Sequence, residues 1–343
     1  MKSKNRIIYI GNRLKGAGLN PTTIDTLGDR LKVDFDIIRA SHFKNPILRI
    51  IHMWIIILLN AQKSSFLIID TYSSNAFNYA WTCGAIARLI GLNYIPFLHG
   101  GKLPERYKKS KKKCQKYFKG AYKIISPSGF LKVETESKFN VQVDIIPNYL
   151  EIEQYSFCQR PNVGEVKLLW VRAFHKIYNP TLVPEIIHGL RRIGFRVSCT
   201  MVGPDKDGSL ANVKKRALNL NVLDSLHFTG RVSKKEWLNL SSDYSFFINT
   251  TNADNTPVSV MEAMALGMPV ITTDVGGIPY LFENNREGIM VPPKNATLIV
   301  NSIEHLIKNS TLTKEISTNA RLKAEKWDWS EVKKLWLEIL KYE

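Results

Sequence analysis

The feature that most constrains this 343-residue chain is a grammar of short β-branched and aromatic runs alternating with helical stretches, used twice. RIIYIG, FDIIRA, FLIIDT, YIPFLHG, KIISPS and VDIIPN come first, with stretches such as Thr22–Lys32 and Asn75–Ile90 reading as the helices between them. This is the βαβ pattern of a parallel sheet. After a polar connection at residues 159–165 the grammar restarts with VKLLWVRA, RVSCTMVG, LHFTG, YSFFINT, PVITTD and GIMVP. A chain of this length also exceeds what one hydrophobic core usually supports. The expected architecture is α/β: two Rossmann-like domains, 1–158 and 166–326, whose parallel sheets face a central cleft. The last segment, 327–343, is an amphipathic helix with Trp329, Val332, Leu335, Trp336 and Ile339 on one face, expected to pack back toward the first domain.

Charge is distributed unevenly. Residues 1–150 hold 24 Lys and Arg against nine Asp and Glu, so most of the net +18 lies in the first half. Within it, Lys102–Lys123 carries ten basic residues and one acidic one. Such a block attracts polyanions, either nucleic acid or an anionic membrane surface. Tyr107, Tyr117, Phe118 and Tyr122 lie among the lysines, and PILRIIHMWIIILLN (Pro46–Asn60) precedes them. That apolar stretch is too short to span a bilayer and is read first as a buried helix, with insertion as the alternative. An apolar helix and a basic segment in one half favour a membrane surface over nucleic acid, for which no zinc-finger, helix-turn-helix or RNA-sheet signature is present. The apolar run Ile7–Ile10 is too short for a signal-peptide core, and the four cysteines lack metal or disulfide spacing. A reducing compartment is expected.

The densest chemistry lies in NADNTPVSVMEAMALGMPVITTDVGGIP, residues 252–279. A helix beginning near Val258, after a strand ending near Thr250, offers unpaired N–H groups and a positive dipole end suited to phosphate. Glu262 stands among Ala, Met, Leu and Gly, a setting in which a carboxylate needs hydrogen-bonding partners such as sugar hydroxyls. Asp254 lies eight positions earlier, and both acids are expected to face the cleft. Gly276-Gly277 lets backbone amides approach an oxyanion, or is simply a tight turn.

The stretch from Asp254 to Pro293, DNTPVSVMEAMALGMPVITTDVGGIPYLFENNREGIMVPP, resembles the donor-sugar-nucleotide signature of the retaining glycosyltransferase family 4, which has the GT-B fold. The family pattern is a Glu, seven intervening residues, a second Glu, then Ala-Met, Gly, Pro-Val and Gly-Gly-Ile-Pro. The resemblance implies that Glu262 holds the ribose hydroxyls and that Gly276 and Gly277 lie near the diphosphate. Asp254 stands where the family has its first Glu, which contacts the transferred sugar, and is shorter by one methylene. LLWVRAFHKIYNP places Arg172 and Lys176 against the diphosphate, although Val171 replaces the family's Gly and the Arg-to-Lys spacing is irregular. FLHGG puts His99 beside the reacting sugar, GNRLKGAGLN puts Gly16 under the diphosphate, and FTGRVSKKEW puts Arg231 and Val232 by the base. The implied reaction is front-face transfer with retention, without protein nucleophile, cofactor or metal. The Asp-x-Asp match DKD at 205–207 is read as a solvated turn.

The expected partners are a nucleotide sugar as donor substrate and a glycan or lipid-linked acceptor of cell-surface polysaccharide synthesis. Lys108–Lys119 is expected to rest on an anionic membrane, placing the protein in the cytoplasm, peripheral at the inner face of the cell membrane, with no nucleic-acid partner. Two other classes are a sugar-nucleotide epimerase of GT-B type and a non-catalytic polyanion-binding protein on a transferase scaffold.

Overall fold

Twelve strands form among the described residues, and each falls on one of the apolar runs. The computed structural model of the protein describes residues 4–13, 22–160 and 164–341. The chain divides into two units, Met1–Pro147 with Leu335–Glu343, and Asn148–Lys334.

In the first unit the strands are β1 (Arg6–Ile10), β2 (Asp36–Ala40), β3 (Ser64–Thr71), β4 (Tyr94–Leu98), β5 (Ile125–Ser126) and β6 (Asp144–Ile145). They form one parallel sheet in the order β2-β1-β3-β4-β5-β6. The helices are α1 (Thr23–Leu31), α2 (Pro46–Asn60), α3 (Phe77–Leu89), α4 (Leu103–Lys109), α5 (Lys111–Lys119) and α6 (Gly129–Phe139). Strand β4 is buried throughout because helices cover both faces, which is why these strands read as continuous apolar runs. Residues of α2, α3, α4, α5 and α6 share one core with Ile8, Ile10, Leu67 and Ile69, so these helices cover the same face of the sheet.

The expectation that Pro46–Asn60 is a buried helix is met on one side only. Met53 and Ile57 are buried, while Ile47, Leu48, Ile51, Ile55, Leu58 and Leu59 are exposed. Met53 and Ile57, with the partly buried Ile50, Trp54 and Ile56, seat the helix on the core; none of the described residues of the first unit buries the opposite side.

The second unit has strands β7 (Val166–Val171), β8 (Val197–Val202), β9 (Leu226–Gly230), β10 (Phe246–Asn249), β11 (Val270–Thr273) and β12 (Ile289–Val291). Their order is β12-β11-β10-β7-β8-β9, again parallel. Helices α7 (Leu182–Arg192), α8 (Ser209–Asn219), α9 (Lys234–Leu240), α10 (Val258–Ala265), α11 (Ala296–Lys308), α12 (Ser310–Glu325) and α13 (Trp329–Leu340) follow. Alternation along β7 sends Leu168 and Trp170 into one core and Leu169 into the other.

This unit starts at Asn148 rather than after residue 158, because Leu150 N–H donates to Trp327 O (2.8 Å) and Ile152 N–H to Asp328 Oδ2 (3.1 Å). The connection at 159–165 therefore belongs within the second unit. Helix α13 begins there and ends in the first unit, where Trp336 meets Phe97 edge-on at 5.3 Å. Its buried face is Val332, Trp336 and Leu340, whereas Leu335, expected on that face, is exposed.

Both sheets change direction once, between β1 and β3 and between β7 and β10. In open parallel sheets the carboxyl ends of strands at such a switch point are where ligands bind.

Candidate active site

In the second unit, β7 ends at Val171 and Arg172 N–H still bonds to Val202 O of β8 at 2.9 Å. Gly203 follows β8 at φ +148°, and a Cβ there would lie 1.9 Å from Arg172 O, so only glycine lets the two strand ends cross. The Arg172 guanidinium pairs with Asp254 and lies 4.8 Å over the Tyr178 ring. Its Nε is buried without a hydrogen-bond partner. Burial pulls the guanidinium below its ordinary range, and Tyr178 and Glu262 oppose the shift.

Asp254 sits in the loop after β10. That loop is pinned from three sides: Asn252 N–H donates to Ile177 O (2.7 Å), Thr273 hydroxyl to Thr251 O (2.6 Å), and Thr250 hydroxyl to Tyr178 O (2.8 Å). Asp254 Oδ1 accepts the Asn255 N–H at 2.8 Å. The Gly-Gly turn closes over this loop. A Cβ on Gly276 would lie 2.1 Å from Asp254 O, and one on Gly277 1.9 Å from Asn255 O. Gly277 N–H donates to Asp254 O (3.1 Å), so this amide is committed to the loop, whereas Gly276 N–H makes no hydrogen bond among the described residues. Of the two amides expected at the diphosphate, the geometry offers one.

Helix α10 has Pro257 at its N-cap and no capping side chain. Ser259 Oγ, in its first turn, is buried without a partner, as is Asn249 Oδ1 at the end of β10. Further along, Glu262 is buried; its Oε1 accepts the Tyr155 hydroxyl at 2.8 Å and lies 3.6 Å from Lys234 Nζ. Lys234 also stacks 4.8 Å over the Tyr155 ring. Burial raises the Glu262 pKa above the ordinary glutamate value, with Lys234, Tyr155 and Arg172 pulling the other way. Arg321 of α12 fixes the arrangement from behind, donating to Tyr155 O (2.6 Å) and Ala265 O (2.7 Å).

Tyr155 and Lys234 were not singled out in the sequence. Tyr155 carries no motif. Lys234 had a signal: Ser233 and Glu236 form a capping box that starts α9, and the first helical residue of that box is Lys234. Val232 packs against the core and Arg231 is exposed beside it. Lys176 lies on a 3-10 turn, Lys176–Tyr178, with an exposed side chain; its N–H donates to Asp207 Oδ2 at 3.0 Å. The acids of DKD are therefore turn organisers: Asp207 also takes the Ser209 N–H (3.2 Å), and Asp205 the Gly208 N–H (3.0 Å).

The first unit builds its own cluster at the ends of β1, β3 and β4. His99 N–H continues the ladder to Thr71 O (2.9 Å), and its Nε2 lies 2.9 Å from Asp70 Oδ1. Tyr9 hydroxyl donates to the same oxygen at 3.0 Å. A carboxylate only accepts, so Nε2 carries a proton. Tyr72 stacks on the imidazole at 4.8 Å and Phe97 meets it edge-on at 4.4 Å. Asp70 is fully buried, with Oδ2 lacking a partner; an acid closing an apolar strand was the available signal for it. Gly16 lies outside the described residues.

Since the clashing atoms at Gly277 are backbone, Gly277→Ala forces the 254–255 loop to move. We expect a loss of roughly 2–4 kcal/mol in the second unit's chemical unfolding, against less than about 1 kcal/mol for an exposed glycine-free control in α8 such as Lys215→Ala. Equal midpoints for the two variants would show that the loop yields freely.

The family profile described as "Glycosyl transferases group 1" matches residues 151–323, more than half of the chain. An uncharacterized glycosyltransferase of Methanocaldococcus jannaschii is 24% identical over 92% of this chain and 93% of its own length. Among solved structures, Anabaena HepE in complex with UDP is similar with a TM-score of 0.78 at 14% identity, over 98% of this chain and 99% of that one. The lipopolysaccharide outer core galactosyltransferase WaaB, in its apo form, is similar with a TM-score of 0.73 at 13% identity, over 97% and 99% of the two chains. The GT-B likeness spans both units and the profile falls on the one that carries Arg172, Asp254 and Glu262: the chain is a glycosyltransferase and belongs to the glycosyl transferases group 1 family.

Proposed function

We propose that the protein is a retaining, metal-independent transferase of hexosyl type that moves a sugar from a nucleoside-diphosphate sugar to a glycan or lipid-linked acceptor in cell-surface polysaccharide synthesis, of which lipopolysaccharide is one form. The observation that carries this reading is a buried glutamate and a half-buried arginine, with Arg172 Nε and Ser259 Oγ buried and left unpartnered. A carboxylate with one oxygen engaged by Tyr155 has the other for ribose hydroxyls, and an arginine with an unused N–H suits a diphosphate. The likeness to a UDP-bound protein and to a lipopolysaccharide galactosyltransferase supports the donor and acceptor classes.

In the proposed reaction the bond from the anomeric carbon to the diphosphate oxygen breaks while the acceptor oxygen bonds to the same face. The acceptor's proton passes to the departing phosphate oxygen. Arg172 carries the charge that develops on that diphosphate, Lys176 adding a second cation from its turn, and Gly276 N–H a backbone donor. Asp254 orients the sugar hydroxyls; Arg231 and Val232 flank the base. The first unit binds the acceptor, with His99 as its candidate catalytic residue. Lys108–Lys119 holds the enzyme on the inner, anionic face of the cell membrane, where a lipid-linked acceptor is displayed.

Glu262→Gln is expected to weaken nucleotide and sugar nucleotide alike. Asp254→Asn releases Arg172 from its pair, so free nucleoside diphosphate should bind at least as tightly while transfer falls. Calorimetry and transfer assays that gave equal losses for both variants would remove this division of roles. Because burial raises the Glu262 pKa, acidification should weaken nucleotide binding at a higher pH than an ordinary glutamate would require, and the Gln variant should lose that dependence.

Turnover of Arg172→Ala should fall by about 100-fold, the scale of losing one oxyanion donor. The parent should stay active in EDTA. Unchanged turnover at a normal melting temperature would take Arg172 out of the site, and loss of activity in EDTA would overturn the metal-independent reading.

A further inference from the structure

Among the described residues of the first unit, the outer side of α2 carries the largest group of exposed aliphatic side chains. With about 100° per residue, Ile47, Leu48, Ile51, Ile55, Leu58 and Leu59 fall within an arc of about 120°, and each is 42–75% exposed. Met53 and Ile57 point the opposite way, into the core. The exposed residues are a continuous aliphatic stripe along the whole helix, whereas exposed apolar residues on a soluble surface are ordinarily scattered.

The stripe is continuous with the basic block. Trp54 of α2 donates its indole N–H to Thr82 of α3 at 3.2 Å, and Lys113 of α5 places its Nζ 4.8 Å over the ring of Trp81, the neighbouring residue on α3. Helices α2, α3 and α5 are thus adjacent in one layer, with two partly exposed tryptophans between the aliphatic stripe and the lysines. Lys108, Lys109, Lys111, Lys112, Lys113, Lys116 and Lys119 are all exposed, and among the described residues none is paired with a carboxylate.

We propose that this layer is a two-part docking surface for an anionic bilayer, in which the α2 stripe enters the acyl boundary and the α4–α5 lysines meet headgroup phosphates. The proposal rests on the membrane location given above and adds the element that inserts. Aliphatic stripe, interfacial tryptophans and lysines occur in the order that a helix lying in the plane of a bilayer requires. A second copy is the poorer occupant, because a two-fold contact along α2 brings two sets of seven lysines toward each other. Nucleic acid would use the lysines and leave the stripe in water.

The test is flotation of the intact protein with vesicles of phosphatidylglycerol and phosphatidylcholine, compared with phosphatidylcholine alone. The parent should bind the anionic vesicles and keep part of that binding in about 0.5 M salt, where exposed charges are screened and apolar insertion is not. Ile51→Ser with Ile55→Ser and Leu58→Ser, which keeps every lysine, should lower partitioning by at least tenfold. Lys109→Ser, Lys111→Ser, Lys112→Ser and Lys113→Ser together should remove the preference for anionic lipid, at roughly fivefold per charge. Both variants should keep the parent's melting temperature and its transfer to a soluble acceptor.

Parental binding by the stripe variant, with loss only in the lysine variant, would overturn insertion while leaving electrostatic attachment intact. No vesicle binding by the parent would overturn both. A dimer in sedimentation that the stripe variant abolishes without changing vesicle binding would assign the face to a second copy, and preference of the parent for RNA over vesicles would assign the lysines to nucleic acid; either result overturns the proposal.

Discussion

Parallel sheets buried on both faces leave their side chains few ways to reach a ligand. In the central strands the N–H and C=O groups are spent on the ladder, and most side chains are spent on one core or the other. Strand-borne chemistry can emerge only where the ladder stops. In both sheets the ladder stops at a point where the chain reverses its direction of travel across the sheet, and there Arg172 and Asn249 in one unit, and Asp70 and His99 in the other, leave their strands. The helices and loops described above serve mainly to hold those strand ends in register.

Placing charge at such an end is costly, because each ion loses its water. The second unit meets the cost by interlocking its charges. Asp254 answers Arg172, Tyr155 and Lys234 answer Glu262, and Lys234 in turn lies on the Tyr155 ring. Removing Asp254 leaves Arg172 without its counter-charge and removing Glu262 leaves the Tyr155 hydroxyl without its acceptor, so substitutions in the set will couple rather than add. The first unit follows a different rule: a wholly buried carboxylate is shared by a phenol and an imidazole, and aromatic rings close around it.

The strands were legible because their physics is local. A strand covered on both faces must be apolar along its length, and the runs of central strands such as β1, β4 and β10 show it. The second acid of the signature was legible too, since Glu262 lies among small apolar residues where only a partnered carboxylate is tolerated. What the sequence hid depends on contacts distant along the chain. Tyr155 reaches Glu262 across 107 residues, and nothing around it marks it as polar machinery. Gly277 reads as a donor to an anion, yet its amide is taken by Asp254 O, a partner fixed only when the loop folds over it. Helix α2 is apolar along most of its length, broken only by Arg49, His52 and Asn60, so its composition predicts burial; which side is covered is decided by its neighbours.

The start of α10 has a consequence for how this protein responds to selection. Its N-cap is Pro257, which has no side-chain oxygen to close the first turn, where Ser, Thr, Asp or Asn would contribute on the order of 1 kcal/mol. A chain chosen only for heat resistance would be expected to acquire such a residue here. If the proposed donor site is right, the added oxygen would occupy the same amides that the anionic donor needs, so hardening this helix and keeping it receptive would be opposed aims.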